Sequence, residues 1–156
     1  MPGLVPGIHV FKLSTKKDVD GRDKPGHDRE HREDAMIERL AELVNADANV
    51  VRRGRFVNTT FLVEVGDKGY LVRIADGRIV AITPGPFITP NYSFALRAPR
   101  EAWQTFWQKL PPPGFNDLFA LFKRGLLKIE GDVHPFMANL LYFKDVLAAP
   151  RKEAAR

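Results

Sequence analysis

The most suggestive chemical grouping in this 156-residue chain is Glu130, Asp132 and His134, three titratable residues at every second position. On a continuous strand that spacing would put all three on one face. They could then act as a carboxylate–imidazole base or as half of a metal site. The residues between and after them argue otherwise. Gly131 interrupts a strand, Asp132 suits a helix cap, and Pro135 belongs in the first turn of a helix. Ser93 lies in an alternating stretch without a glycine-flanked elbow, so it is no nucleophile. Asp67-Lys68-Gly69 and Asp76-Gly77 read as turns rather than phosphate cradles, because no helix follows them. The chain has no cysteine, which removes disulfides and thiolate metal sites. The expectation is a non-catalytic protein without metal or cofactor. An enzyme acting on acyl or aromatic substrates through His134 is the catalytic alternative.

Aromatic side chains are what the sequence has in surplus: eleven Phe, two Trp and three Tyr, most of them after residue 56. Burying each contributes about 1.5–3 kcal/mol. They can simply fill a core, or they can wall an apolar pocket between a sheet and helices. The residues proposed for such a wall are Phe94, Trp103, Trp107, Phe119, Phe122, Leu126, Phe136 and Leu140. Polar candidates for its mouth are Asn91, Tyr92, Arg97, Gln104 and Asn139. A filled core with exposed aromatics would instead make a protein-interaction or accessory module.

Elements must position these residues. Asp34 offers a cap for an apolar helix carrying Met36, Ile37, Leu40, Leu43 and Val44, expected to end near Asn45–Asp47. Phe61, Val63 and Val65 alternate with Thr60, Leu62 and Glu64, as Tyr70, Val72 and Ile74 do with Leu71 and Arg73, and Ile79–Ile82 follows. Asp76-Gly77 is a strong hairpin signal, so an antiparallel meander is expected. Residues 83–91 hold three prolines and must be a loop, with Phe87 and Ile88 as inward-folding candidates. Phe94 and Leu96 mark a fourth strand. Helices are expected over 99–110, 115–124 and 133–148, with Gly125 as a left-handed stop and Pro111-Pro112-Pro113 as a stiff spacer. Leu127 and Ile129 give the inward face of a fifth strand over 126–130, expected to lie beside the meander. Residues 150–156 read as a frayed tail.

Residues 1–34 read as a poorly packed N-terminal extension. VPGIHV (5–10) and DVDGRDKPGHD (18–28) resemble a translated bacterial interspersed repeat. His9, His27 and His31 fall here at spacings that match no ligand set. The folded part is expected to span 35–149. There fourteen basic residues face eleven acidic ones, too small an excess for a nucleic-acid partner. The tight group Arg52, Arg53 and Arg55 reads as a solvated loop. No apolar run reaches the ~18 residues of a membrane span, and no signal-peptide pattern opens the chain. The expected location is cytoplasmic.

One resemblance adds to this reading. SFALRAP (93–99) leads into a tryptophan-bearing helix, and FALFKRGLLKIEGDVHPFMANL (119–140) follows the order apolar helix, Gly, Leu-Lys-Ile-x-Gly-Asp, apolar helix. These segments resemble the C-terminal half of the sterol carrier protein 2 family. That resemblance implies an α+β fold with a single five-stranded mixed, mostly antiparallel sheet covered by helices. It also implies a tunnel for fatty-acyl chains, sterols or similar lipids, no catalytic residues, and room for transient contact with a membrane surface. The three prolines of 110–115 depart from the pattern.

Overall fold

The computed structural model describes the backbone of residues 25–154 and the side chains of residues 32–154. The repeat-like words before residue 25, His9, and the side chains of His27 and His31 lie outside the described residues. The chain divides into two units, residues 1–35 and 36–156. Helix α1 (Pro25–Glu38) begins in the first. It starts earlier than the Asp34 cap suggested, from a proline whose fixed φ suits a first turn.

In the second unit, α2 (Leu40–Asn45) is followed by a further short helix, α3 (Ala48–Arg53). The helix end expected near Asn45–Asp47 is found at Asn45, although the helix is broken near Arg39. Asp47 also opens α3, its carboxylate accepting from Asn49 N–H at 3.0 Å and Val50 N–H at 3.3 Å. Arg52 and Arg53 are therefore in the last turn of a helix, not in a loop.

β1 (Thr59–Val65), β2 (Lys68–Ala75) and β3 (Arg78–Pro84) form the expected antiparallel meander. Asp76 and Gly77 take positive φ in the β2–β3 turn, 51° and 79°, which an Asp-Gly pair tolerates. β4 (Phe94–Ala98) runs parallel to β1, and β5 (Lys128–Gly131) runs antiparallel to β4. The sheet order is β3-β2-β1-β4-β5. This corrects the expectation that the fifth strand would lie beside the meander, because β4 stands between them. The reason is the connection 85–93. It is pinned by Gly85 N–H to Gly69 O and by Ser93 N–H to Thr60 O, both 2.8 Å. It thereby carries β4 past β2 and into place along β1. Phe87 packs beside Gly69 on this connection, but Ile88 is 95% exposed and not folded in.

The helices that follow are α4 (Arg100–Phe106), α5 (Leu118–Lys123), α6 (His134–Ala138), α7 (Leu140–Ala148) and α8 (Pro150–Ala154). The expected helix 133–148 is split at Asn139, whose φ of −124° and ψ of 37° are not helical. The expected frayed end is helical as far as residue 154. Arg151 donates there to the carbonyls of Phe106 (2.7 Å), Phe115 (3.3 Å) and Asn116 (3.1 Å), fastening the proline-rich connector. The core joins the inward side chains of β1 and β4 to these helices. Phe61 and Phe94 stack at 5.2 Å, and Phe143 sets its edge against both at 5.4 and 5.3 Å.

Candidate functional site

The Glu130, Asp132 and His134 grouping does not converge. Gly131 is the last residue of β5 and takes φ 90°, so the strand stops there. Glu130 accepts from Arg97 Nε at 2.9 Å on the sheet face that β4 turns away from the helices. The Asp132 carboxylate accepts from the backbone N–H of His134 at 3.0 Å, and the imidazole is exposed at the start of α6. Each residue is thus committed to a different local task. Pro135 sits in the first turn of α6 as expected, while the N-cap is Val133 rather than Asp132, whose carboxylate holds the turn just ahead of it.

The proposed apolar wall divides in two. Phe94, Trp103, Trp107 and Phe136 are at most 2% exposed, so their side chains border no appreciable water-sized space. The two indoles stack at 5.2 Å. Their N–H groups donate to Glu64 O and Leu147 O, each at 2.9 Å, which satisfies both polar atoms in the interior. These four residues form solid core. Phe119, Leu126 and Leu140 are half-buried and pack against that core from outside. Phe122 is 47% exposed. The ring of Phe119 lies 6.5 Å from Phe136 and 6.4 Å from Phe122, so it links the interior to the surface.

The mouth candidates scatter as well. Arg97 is held on the outer sheet face by Glu64, Glu130 and the Tyr92 hydroxyl. Asn91 is exposed in the loop before β4, and Gln104 is half-buried on α4. Asn139 reaches an opening. Its side chain donates to Pro135 O at 3.1 Å, closing off the end of α6.

That opening is a cleft of about 370 Å3 at the α6–α7 break, lined by Arg53, Met137, Ala138, Asn139, Leu140, Leu141 and Tyr142. It falls within the ~300–1,000 Å3 usual for small-molecule sites. Its walls are mostly apolar, with Arg53 as the charged rim. Arg53 pairs with Asp145 on α7, both partners being substantially exposed, so the pair adds little rigidity. Tyr142 forms the floor. Its hydroxyl donates to Gly77 O at 2.8 Å, and burial pushes its phenol well above the usual value. A second cleft of about 170 Å3, between α5 and α7, is lined by Asp117, Lys144 and Arg151 among others, and is too small for a lipid.

Of the sequence candidates, Leu140 and Asn139 come together in the larger of these two clefts. Arg53, Met137, Leu141 and Tyr142 were not singled out as site residues. Arg53 meets Asp145 across 92 positions, which local pattern cannot reveal. An unbroken helix over 133–148 would count Met137 and Leu141 with its apolar residues, yet they are 50% and 64% exposed.

A five-stranded 3-2-1-4-5 sheet with one parallel pair and helices packed around it defines the sterol carrier protein 2-like class of fold. A crystal structure of sterol carrier protein 2 superposes with a TM-score of 0.62 at 12% identity, spanning 76% of this chain and 95% of that one. A conserved hypothetical protein of Thermus thermophilus, suggested to be a sterol carrier protein, gives 0.55 at 12% identity, spanning 74% and 86%. No family profile and no curated protein sequence matches the chain.

Proposed function

We propose that the protein binds a hydrophobic small molecule, a fatty-acyl chain, a sterol or a similar lipid, and does not transform it. The observation that carries this reading is the fold shared with sterol carrier protein 2 along most of both chains. The cleft at the α6–α7 break supplies an apolar starting point of suitable size. A ligand seated on Met137, Leu140 and Leu141 would extend inward by displacing Phe119, the half-buried ring at the edge of the core. Removing its apolar surface from water would drive binding at about 25 cal/mol per Å2. Exchange of such a ligand would take place by transient contact with a membrane surface. The reading is of a cytoplasmic carrier that works without metal or cofactor.

A second reading is an accessory or interaction module. The observation favouring it is the solid packing around Trp103, Phe94 and Phe136. Native mass spectrometry of the purified protein separates the two. A carrier shows a co-purifying lipid, or takes up a fluorescent fatty acid saturably after delipidation, with Leu140→Glu weakening uptake about tenfold or more. A single ligand-free mass together with non-saturable fluorescence would leave the interaction module standing. Turnover that vanished in a folded His134→Ala variant would instead favour the enzyme.

A further inference from the structure

The stretch from Gly114 to Gly125, which holds α5, is built as a separate body. Both bounding glycines take left-handed φ, 90° and 74°, a conformation open to glycine and costly for other residues. Among the described residues, nothing beyond its chain neighbours lies within 4 Å of the point where a Gly125 Cβ would stand, so that joint borders open space. Arg124 reaches back from one end of the stretch to the other. Its guanidinium lies 4.9 Å from the Phe115 ring centre and occupies the place where a Gly114 Cβ would stand. A segment whose ends are clasped to each other by its own side chains can move as one piece.

Its ties to the rest of the molecule are of two kinds. Leu118 and Leu121 are buried, 1% and 0% exposed. The others are side-chain bonds at the edge. Asp117 accepts from Lys144 Nζ at 2.8 Å, and the same ammonium lies 5.2 Å from the Phe119 ring centre. Arg151 donates to Phe115 O at 3.3 Å and Asn116 O at 3.1 Å, which anchors the Gly114 end. Along this edge the seam with α7 is not closed. The cleft of about 170 Å3 has Asn116, Asp117 and Leu118 on one side and Lys144, Ala148 and Arg151 on the other. Packed interiors leave few gaps larger than a water molecule, so this joint is loosely sealed. Phe119, which belongs to the same stretch, is half-buried with its ring 6.5 Å from the fully buried Phe136.

We infer that residues 114–125 form a lid, hinged at Gly114 and Gly125 and latched by Lys144 to Asp117. Hinges are a few positions that absorb a backbone rotation, and the two glycines do so at either end of α5. Opening withdraws Phe119 together with Leu118 and Leu121, and an apolar ligand takes over the contacts they leave. Trp103, Trp107 and Phe136 stay in place, which reconciles a solid core with the uptake of a ligand. The lid rests on the carrier reading for its purpose, though not for its motion.

Native-state hydrogen exchange on the ligand-free full chain, followed by mass spectrometry along a urea series, tests the motion. Once undocked, a helix of 6 residues does not hold its hydrogen bonds in water. Opening therefore exposes the amides of Leu121, Arg124 and Gly125, which donate to Asp117 O, Ala120 O and Phe122 O. They should exchange about tenfold or more faster than the amides of β1 and β4, with little dependence on urea, as a local opening does. Asp117→Asn keeps a cap oxygen for Phe119 N–H but loses the ion pair, and Lys144→Met keeps the stem beside Phe119 without the charge. Each should speed the lid's exchange about threefold, still with little urea dependence. Stopped-flow mixing with a fluorescent fatty acid reads uptake, and both variants should load about threefold faster than the parent. Lid amides that exchange only with the strands, at the same urea slope, overturn the lid. Saturable fatty-acid binding at a loading rate that neither variant changes overturns it too. Fast local exchange in a protein that takes up no fatty acid supports the lid's motion and overturns the carrier reading alone.

Discussion

At the scale of single residues, Tyr142 joins three distant segments. A Cβ on Gly54 would sit 2.2 Å from its ring, so only glycine lets the end of α3 approach this closely. Its hydroxyl meanwhile caps the Gly77 carbonyl of the β2–β3 turn. Tyr142→Phe leaves that buried carbonyl without its donor and should cost about 1–3 kcal/mol in urea unfolding. The phenol also sets an alkaline limit. Its pKa is raised on folding, so its contribution is complete below the ordinary value of 10.0 and is lost as pH climbs beyond it. Stability should therefore fall more steeply above pH 10.0 in the parent than in Tyr142→Phe, followed by circular dichroism. Asp117 sets the acid side. Burial works against its carboxylate, but the 2.8 Å bond from Lys144 Nζ and the Phe119 N–H outweigh that and hold its pKa below the usual 3.8. The sign is then reversed: the contribution is present above 3.8 and disappears as pH falls through the lowered value. Asp117→Asn should flatten the acid limb of the stability curve. An equally steep limb would remove Asp117 as the cause.

Among elements, β3 is an edge strand, and exposed edges invite pairing with other chains. Asn45 at the end of α2 guards it. Its amide donates to Ile79 O and accepts from Ile79 N–H, both at 2.9 Å, so a side chain stands in for a neighbouring strand. Asn45→Ala should destabilise the protein by about 1–3 kcal/mol and raise concentration-dependent light scattering. Unchanged scattering would show that β3 needs no guard. This clasp was not legible in the sequence, because it joins residues 34 positions apart. The hairpins were legible, since Asp76-Gly77 encodes its turn locally and Phe61, Val63, Tyr70 and Val72 alternate cleanly. Helix breaks were not. Nothing around Asn139 forbids continuing the helix, and Asp47, just past the expected end of one helix, also begins another.

For the whole molecule, the five-stranded mixed sheet and its helical cover follow from the words SFALRAP and FALFKRGLLKIEGDVHPFMANL more than from any periodicity. Local alternation finds strands but not their order, and the placement of β4 is a long-range matter. The site was only partly legible for the same reason. Counting aromatics anticipated a wall but not which rings would close on one another, and Trp103 and Trp107 went to packing while Leu140 went to the cleft. The order of the sheet has one more consequence. β4 is hydrogen-bonded to the meander on one side and to β5 on the other, so it works as a seam between chain halves that are far apart in sequence. The exposed stretch around Ile88 and Thr89 lies just ahead of it and is a natural site for protease nicking. A protein cut there should elute as one particle, come apart only in denaturant, and regain its melt when the pieces are mixed. Fragments that drift apart in plain buffer would mean that the backbone link, not the seam, holds the halves together.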